Sequence, residues 1–424
     1  MNEVTITLLF LFFAIIMFVT EKIPLSLTSM IVCIGLNLTG VLNFKETFQG
    51  FVDGNVILFV AMFIVGGALF ETGMASDIGG LITKFAKTER QLIVSIMIIV
   101  GVLSGFLSNT GTAAVLIPVV VGISAKSGFS RSRLLMPLVF AAALGGNLSL
   151  IGAPGNMLAN SGLQSVGLSF GFFEYAKVGL PMLIAAILFY STVGYKLLPD
   201  YKNSAIIDSE KEEKNNTLIK EKAKWKKHLS LFVMIFSVIA MVFEKQIGIK
   251  LQISACIGAI ILVLTGVLSE DEAYESIDTR TIFLFGGSLS LATALQKTGA
   301  GVVIADTIIT HLGENPSPYM LLIVILVISS VMTNFMSNTA TTALLVPIGL
   351  SIATRINADP RAVLMAMVIG GSCAYATPIG MPANTMVLGL GGYKFKDYIK
   401  AGGPLVIISV VISAILLPIF FPFY

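Results

Sequence analysis

The chain has 424 residues, 55% of them hydrophobic and only 12% charged, with a net charge of +3 and a mean hydropathy of +0.91. A soluble domain carries about 25% charged residues, so an ordinary water-soluble protein is excluded, and the charge balance gives no reason to expect a nucleic-acid partner. Apolar blocks of roughly 17–24 residues match the helix length that crosses about 30 Å of hydrocarbon. Ten-residue alternating strand patterns are absent, which excludes an outer-membrane barrel. An all-α polytopic membrane protein is expected.

In chain order the first half predicts spans at 4–20, 24–41, 54–73, 134–159 and 176–198. The first lacks a basic n-region and a small-residue cleavage site, so it is read as a permanent span. The second half predicts spans at 229–244, 249–268, 281–296, 361–390 and 403–423. Two further apolar stretches, 92–125 and 317–353, are too long for one helix and are interrupted by a polar Ser-Asn-Thr. Each is expected to be a re-entrant helical hairpin, preceded by a short helix near 77–88 or 300–312. The polar stretch from Asp208 to Lys227 holds the single Trp, Trp225, and reads as a linker. The predicted organisation is a first repeat over 1–199, a cytoplasmic linker over 200–227 and a second repeat over 228–424. Scaffold spans fall within 4–73 and 229–296.

Orientation follows from Lys and Arg counting. Placing 197–227 in the cytoplasm puts 20 of the 27 Lys and Arg residues inside and leaves Lys45, Lys177, Lys245, Lys250, Lys297, Arg355 and Arg361 outside. Both termini are then extracytoplasmic, in a multi-pass inner or plasma membrane protein. Cys33, Cys256 and Cys373 lie far apart inside apolar blocks and are expected to be packing residues. Neither His228 nor His311 stands beside a second metal ligand.

Ser108-Asn109-Thr110 recurs as Ser337-Asn338-Thr339, a shift of 229 residues (337 − 108) that also relates Ser104 to Thr333 and Pro118 to Pro347. Downstream, Gly145-Gly146 is aligned with Gly370-Gly371. After a three-residue change of shift, Gly152-Ala153-Pro154-Gly155-Asn156 matches Gly380-Met381-Pro382-Ala383-Asn384. Agreement at so many ordered positions implies an internal duplication. Five spans per copy is odd, so the copies are expected to lie upside down relative to each other, as in secondary transporters.

A helix broken in lipid exposes backbone groups at a cost of several kcal/mol each unless they are satisfied. A break retained in both halves is therefore expected to line a polar site. One cation site is predicted from Ser104, Ser108, Asn109 and Gly152, and a second from Thr333, Ser337, Asn338 and Gly380. An isolated Ser-Asn-Thr would read as helix packing and capping; its duplication beside matching Gly-x-Pro-x-Asn segments reverses that. Every ligand is uncharged, whereas proton coupling generally uses a buried acid or His, so sodium is the expected coupling ion. No organic cofactor is expected. The helix after each tip turns its positive end toward the same place, which suits an anion bound beside the cations. Asn147, Asn160, Asn334, Ser149 and Ser372 are unduplicated polar neighbours expected to be structural.

These motifs, with the run from Gly371 through Pro378, Asn384 and Gly389 to Lys396-Asp397-Tyr398-Ile399-Lys400-Ala401-Gly402, resemble the divalent anion/sodium symporter family of dicarboxylate, tricarboxylate and sulfate transporters, within the ion transporter superfamily. The resemblance implies a homodimer whose mobile domain carries sodium and a small anionic substrate across the bilayer by an elevator movement. It implies that Asn109, Thr110, Asn338 and Thr339 face substrate carboxylates, beside Ala153, Met381 and Pro382. Family members commonly carry Ser or Thr where this chain has Ala153 and Met381, so its anion is expected to differ from the usual four-carbon dicarboxylate. The alternative within the superfamily is a sodium/proton antiporter or an arsenite-type permease, which predicts a buried acid in the unwound region. An enzyme is not expected, because no His, Asp or Glu stands where it would activate the hydroxyls.

Overall fold

A computed structural model describes residues 2–84, 88–201, 223–312 and 317–423. Most of the expected 200–227 linker, at 202–222, lies outside the described residues.

Among the described residues all regular structure is helical. The hairpins form as expected. The first has arms Glu89–Ser104 and Asn109–Ser127, and the second Pro318–Thr333 and Asn338–Arg355. Local chemistry sets their ends. Thr88 and Gln91 form a capping box at the start of the first hairpin, and Ser317 caps the second with Pro318 at the first helical position. Each predicted span over the Gly-x-Pro-x-Asn motif is two helices, Arg131–Gly145 with Pro154–Gln164, and Pro360–Gly371 with Pro382–Leu390. Pro at the first position of each second half starts a new helix where its missing N–H costs nothing.

Helices Glu3–Thr20, Phe44–Glu71, Asn109–Ser127, Lys224–Val242 and Phe395–Phe420 are long and apolar enough to cross a membrane singly. They present side chains such as Phe12, Phe232, Ile407 and Ile415 outward, as a lipid-facing surface requires. Three spans are shorter than predicted, one being Ala176–Ser191 with 16 residues in place of 176–198. Leu25–Leu38 and Leu251–Leu264 have 14 residues each, a rise of about 21 Å. Both end before a left-handed glycine (Gly40, Gly266) and a short capped helix that the apolar pattern missed, Phe44–Phe48 or Glu270–Glu275.

Thr279–Thr298 packs on Leu25–Leu38, and Gly54–Glu71 packs on Leu251–Leu264. The scaffold spans of the two halves therefore interleave. Ser290 Oγ donates to Thr47 O (2.5 Å) and Ser29 Oγ to Phe283 O (3.1 Å) across that seam. In the other group, each hairpin's first arm lies along the first half of its own broken helix. Each second arm crosses to the other copy. Asn338–Arg355 packs on Pro154–Gln164, and Asn109–Ser127 packs on Pro382–Leu390.

Candidate cation and anion site

The repeat is written most clearly in side-chain hydrogen bonds at the breaks. Ser104 Oγ donates to Ala142 O (2.6 Å) and lies 2.8 Å from Asn109 Oδ1. Thr333 Oγ1 donates to Gly371 O (2.5 Å) and lies 3.0 Å from Asn338 Oδ1. Asn156 Nδ2 donates to Gly146 O (2.9 Å) and Ser149 O (2.7 Å), and Asn384 Nδ2 to Ala374 O (2.8 Å) and Thr377 O (3.0 Å). Ser149 Oγ donates to Gly105 O, just as Thr377 Oγ1 donates to Asn334 O.

These pairs correct one alignment and one expectation. Gly371 takes the place of Ala142 and Ala374 that of Gly146, at shifts of 229 and 228, so Gly145-Gly146 and Gly370-Gly371 are not equivalent. Their glycines serve separate close contacts. A Cβ on Gly145 would sit 2.2 Å from Gly101 O, and one on Gly370 would sit 2.8 Å from Ser329 Cβ. Ser149 is duplicated after all, as Thr377. Asn160 and Asn334 are tied to Asn55 and to the carbonyls of Ser330 and Cys373, as structural residues should be. Ser372 likewise donates to Val368 O. Asn147 is buried with neither side-chain polar atom partnered, and nothing in the structure explains it.

Around the first tip the oxygens converge. The end of the Asn109 amide beside Ser104 Oγ is also 3.1 Å from Gly152 O and 3.1 Å from Ala142 O. Three of the four residues of the predicted first set thus meet at one point, and Ala142 supplies an oxygen that sequence reasoning missed. The repeat itself was the signal that would have found it. Only glycine at 146 admits this approach, since a Cβ there would sit 2.6 Å from Asn109 Oδ1. With Oδ1 turned inward, two backbone carbonyls and a hydroxyl lie 2.8–3.1 Å from an amide oxygen, and these are the neutral oxygen types that hard cations take as ligands.

The second set brings Thr333 and Asn338 together, and Gly380 packs so closely on Thr333 that a Cβ would sit 2.6 Å from Thr333 O. Ser108 and Ser337 cap the helices that follow them, accepting from Gly111 N (3.1 Å) and Ala340 N (3.2 Å). A capping hydroxyl oxygen keeps a second lone pair. Thr110, Asn338 and Thr339 are half-buried, Ala153 and Met381 are buried, and Pro382 is exposed. The two sets lie on adjoining elements, because Gly155, three residues past Gly152, packs against Thr342, one turn past Asn338.

A cavity of about 240 Å³ lies to one side, lined by Asp53, Ser161, Gln164, Ser288 and Gln296 and reaching Ala343 and Pro347 of the second hairpin. Three of its lining residues are held by buried Asn55, whose Nδ2 contacts Asp53 Oδ1 (3.1 Å), Ser161 Oγ (2.9 Å) and Gln164 Oε1 (2.9 Å), joining helix Gly54–Glu71 to Pro154–Gln164.

Paired hairpins and broken helices around a neutral oxygen site define a polytopic membrane transporter rather than an enzyme. A family model described as "Citrate transporter" matches residues 15–370 and 338–423, and the chain belongs to that family. It is 24% identical to the sodium-dependent dicarboxylate transporter SdcS of Staphylococcus saprophyticus, over 93% of this chain and 82% of that one. It is 29% identical to the transporter MJ0672 of Methanocaldococcus jannaschii, over 92% and 88%. The fold is similar to that of the Alcanivorax borkumensis YdaH transporter (TM-score 0.64, 14% identity, 97% of each chain). It is also similar to Neisseria gonorrhoeae MtrF (TM-score 0.62, 15% identity, 99% of this chain and 95% of that one).

Proposed function

We propose that the chain is a secondary active transporter that couples sodium to a di- or tricarboxylate or another divalent anion, by symport or exchange. The observation that carries this is the convergence of Ser104 Oγ, Asn109 Oδ1, Ala142 O and Gly152 O, with Thr333, Asn338 and Gly371 arranged alike in the second copy. Neutral oxygens suit sodium. Proton antiport, the alternative, calls for a buried acid, and among the described residues no Asp or Glu is fully buried. The names of several relatives, SdcS among them, point the same way.

The anion sits between the starts of helices Asn109–Ser127 and Asn338–Arg355, where free N–H groups and helix dipoles favour negative charge. Thr110 and Thr339 add hydroxyls there. Ala153 and Met381 flank it with apolar surface, so the substrate is less demanding of hydroxyl donors than a C4-dicarboxylate.

An elevator movement fits the burial pattern. Residues Gly155 to Leu163 of the first broken helix are all buried, whereas in Pro382–Leu390 only Ala383, Asn384 and Val387 are. We read this asymmetry as a carrier open on the Leu390 side. With the linker in the cytoplasm and both termini outside, that is the inward-open state of a plasma or inner membrane homodimer. The repeats then run 1–199 and 228–424, in opposite senses. Uptake of labelled succinate, malate, citrate and sulfate into proteoliposomes, with a sodium gradient and separately with a proton gradient, tests the proposal. Uptake of one anion driven by sodium is expected; equal uptake without sodium sinks the coupling, and no uptake of any of them sinks the substrate class.

A further inference from the structure

The sodium reading leaves unused the last residue of each Gly-x-Pro-x-Asn segment. We propose that Asn156 and Asn384 are positioning residues that hold the unwound backbone so that its carbonyls face the cation. The inference rests on the proposed sodium sites.

Each asparagine is fully buried and spends its amide nitrogen on two backbone carbonyls inside the break. These are Gly146 O and Ser149 O for Asn156, and Ala374 O and Thr377 O for Asn384. Each Oδ1 is buried without a partner, in both copies. The side chain is therefore held by its nitrogen alone, and its two donors tie the carbonyls together across a short 3-10 turn, Gly146–Leu148, in the first copy and across non-helical chain in the second. A tyrosine completes the clamp from behind: Tyr175 Oη donates to Asn156 O (2.8 Å) and Tyr398 Oη to Asn384 O (2.6 Å), both tyrosines fully buried.

The clamped carbonyls sit directly behind the cation ligands. Gly152 packs on Gly146 so tightly that a Cβ would sit 2.5 Å from Gly146 O, and Gly380 packs on Ala374 with a Cβ 3.0 Å from its side chain. Gly146 also backs Asn109. If the asparagine lets go of Gly146 or Ala374, the glycine carbonyl and the Ser-Asn-Thr amide lose their common support. This is the relation by which residues behind metal ligands set affinity without touching the metal.

The test uses the purified full-length chain in detergent. The melting temperature is followed as NaCl replaces choline chloride at constant ionic strength, which gives the half-saturating sodium concentration. Asn156→Leu and Asn384→Leu, near in size but without donors or charge, are each expected to raise it by about tenfold or more, the usual range for losing such support. Tyr175→Phe and Tyr398→Phe, which remove one hydrogen bond each and keep the ring, are expected to raise it less and in the same direction. They carry the test should the leucine variants fail to fold. Lower melting in sodium-free buffer with unchanged half-saturating sodium overturns the positioning role and leaves the sodium sites standing. A wild-type chain whose melting ignores sodium overturns both.

Discussion

The side-chain amide of Asn109 lies 3.1 Å from the carbonyl oxygen of Gly152, across the break of the helix that follows the first hairpin. Turned nitrogen-inward, that amide has two N–H groups for Gly152 O and Ser104 Oγ, while Ala142 O accepts from Ser104 Oγ; turned oxygen-inward, it has only the Ser104 hydroxyl as a donor and leaves Gly152 O facing an oxygen. An unpaired buried polar group costs about 1–3 kcal/mol, so the proposed cation would favour the second orientation and its removal the first. Under the sodium proposal the same amide serves the loaded and the empty carrier.

Asn109→Ala should abolish the sodium-dependent rise in melting temperature at the first site. Asn109→Asp keeps the oxygen and loses the stand-in donor. A carboxylate ligates sodium only when deprotonated, so protons compete with sodium there. Half-saturating sodium should then rise as pH falls in the Asp variant while the wild type stays flat. A flat Asp variant would mean that residue 109 does not touch the cation.

Thr333→Val tests the second site against the first. Removing that hydroxyl leaves Gly371 O without its 2.5 Å donor, at a cost of about 1–3 kcal/mol, whereas Ser104→Ala should cost less, because Ala142 O keeps the Gly146 N–H. If both sites bind sodium, each variant should lower the Hill coefficient for sodium in transport without removing sodium dependence. An unchanged coefficient in both would argue for a single site elsewhere.

The contacts of Asn55 with Ser161 and Gln164 join Gly54–Glu71 to the first broken helix. The proposed elevator stroke has to break them. In a background with the three cysteines replaced, Met386→Cys, on the open side, should react with a hydrophilic maleimide and Leu158→Cys, buried, should not. Adding Asn55→Ala should increase labelling at position 158 and reduce it at 386. Unaltered labelling at both positions would show that these bonds do not hold the closed side.

How much of this was legible in the sequence depended on whether a residue's role repeats in residue type. Ser104, Asn109, Thr333 and Asn338 were found because the copies preserve hydroxyl and amide at fixed spacing. Ala142 was not, because it contributes only a backbone carbonyl, which any residue supplies. The Gly145-Gly146 alignment failed because a one-residue change of shift inside the break is invisible where both copies happen to carry a Gly-Gly pair. Ser149 escaped because its counterpart Thr377 lies at a shift of 228 (377 − 149) rather than the 229 of the tips, inside the stretch where the alignment had failed. The hairpins, by contrast, followed from apolar length and a polar midpoint alone. The short helices Phe44–Phe48 and Glu270–Glu275 had no apolar run to announce them, only the Asn43 and Ser269 capping boxes.

Glu174 ties the loop before Ala176–Ser191 to the start of Pro360–Gly371 through two contacts with Arg361 Nη2 (2.6 and 2.5 Å), with Lys177 at 3.8 Å. Burial works against its charged form, but the Arg361 hydrogen bond, the Gly171 N–H and the two cations outweigh it and hold the carboxyl below its ordinary value of about 4.5. A carboxylate with a depressed folded-state pKa adds stability above its unfolded pKa and loses it as pH falls through the folded value. Both side chains keep partial access to water, so the contribution is about 1 kcal/mol. Glu174→Gln should therefore melt below wild type at pH 7, and the two curves should draw together once the pH is taken well below 4.5. A difference that persists unchanged into acid would assign the loss to packing of the side chain rather than to its charge.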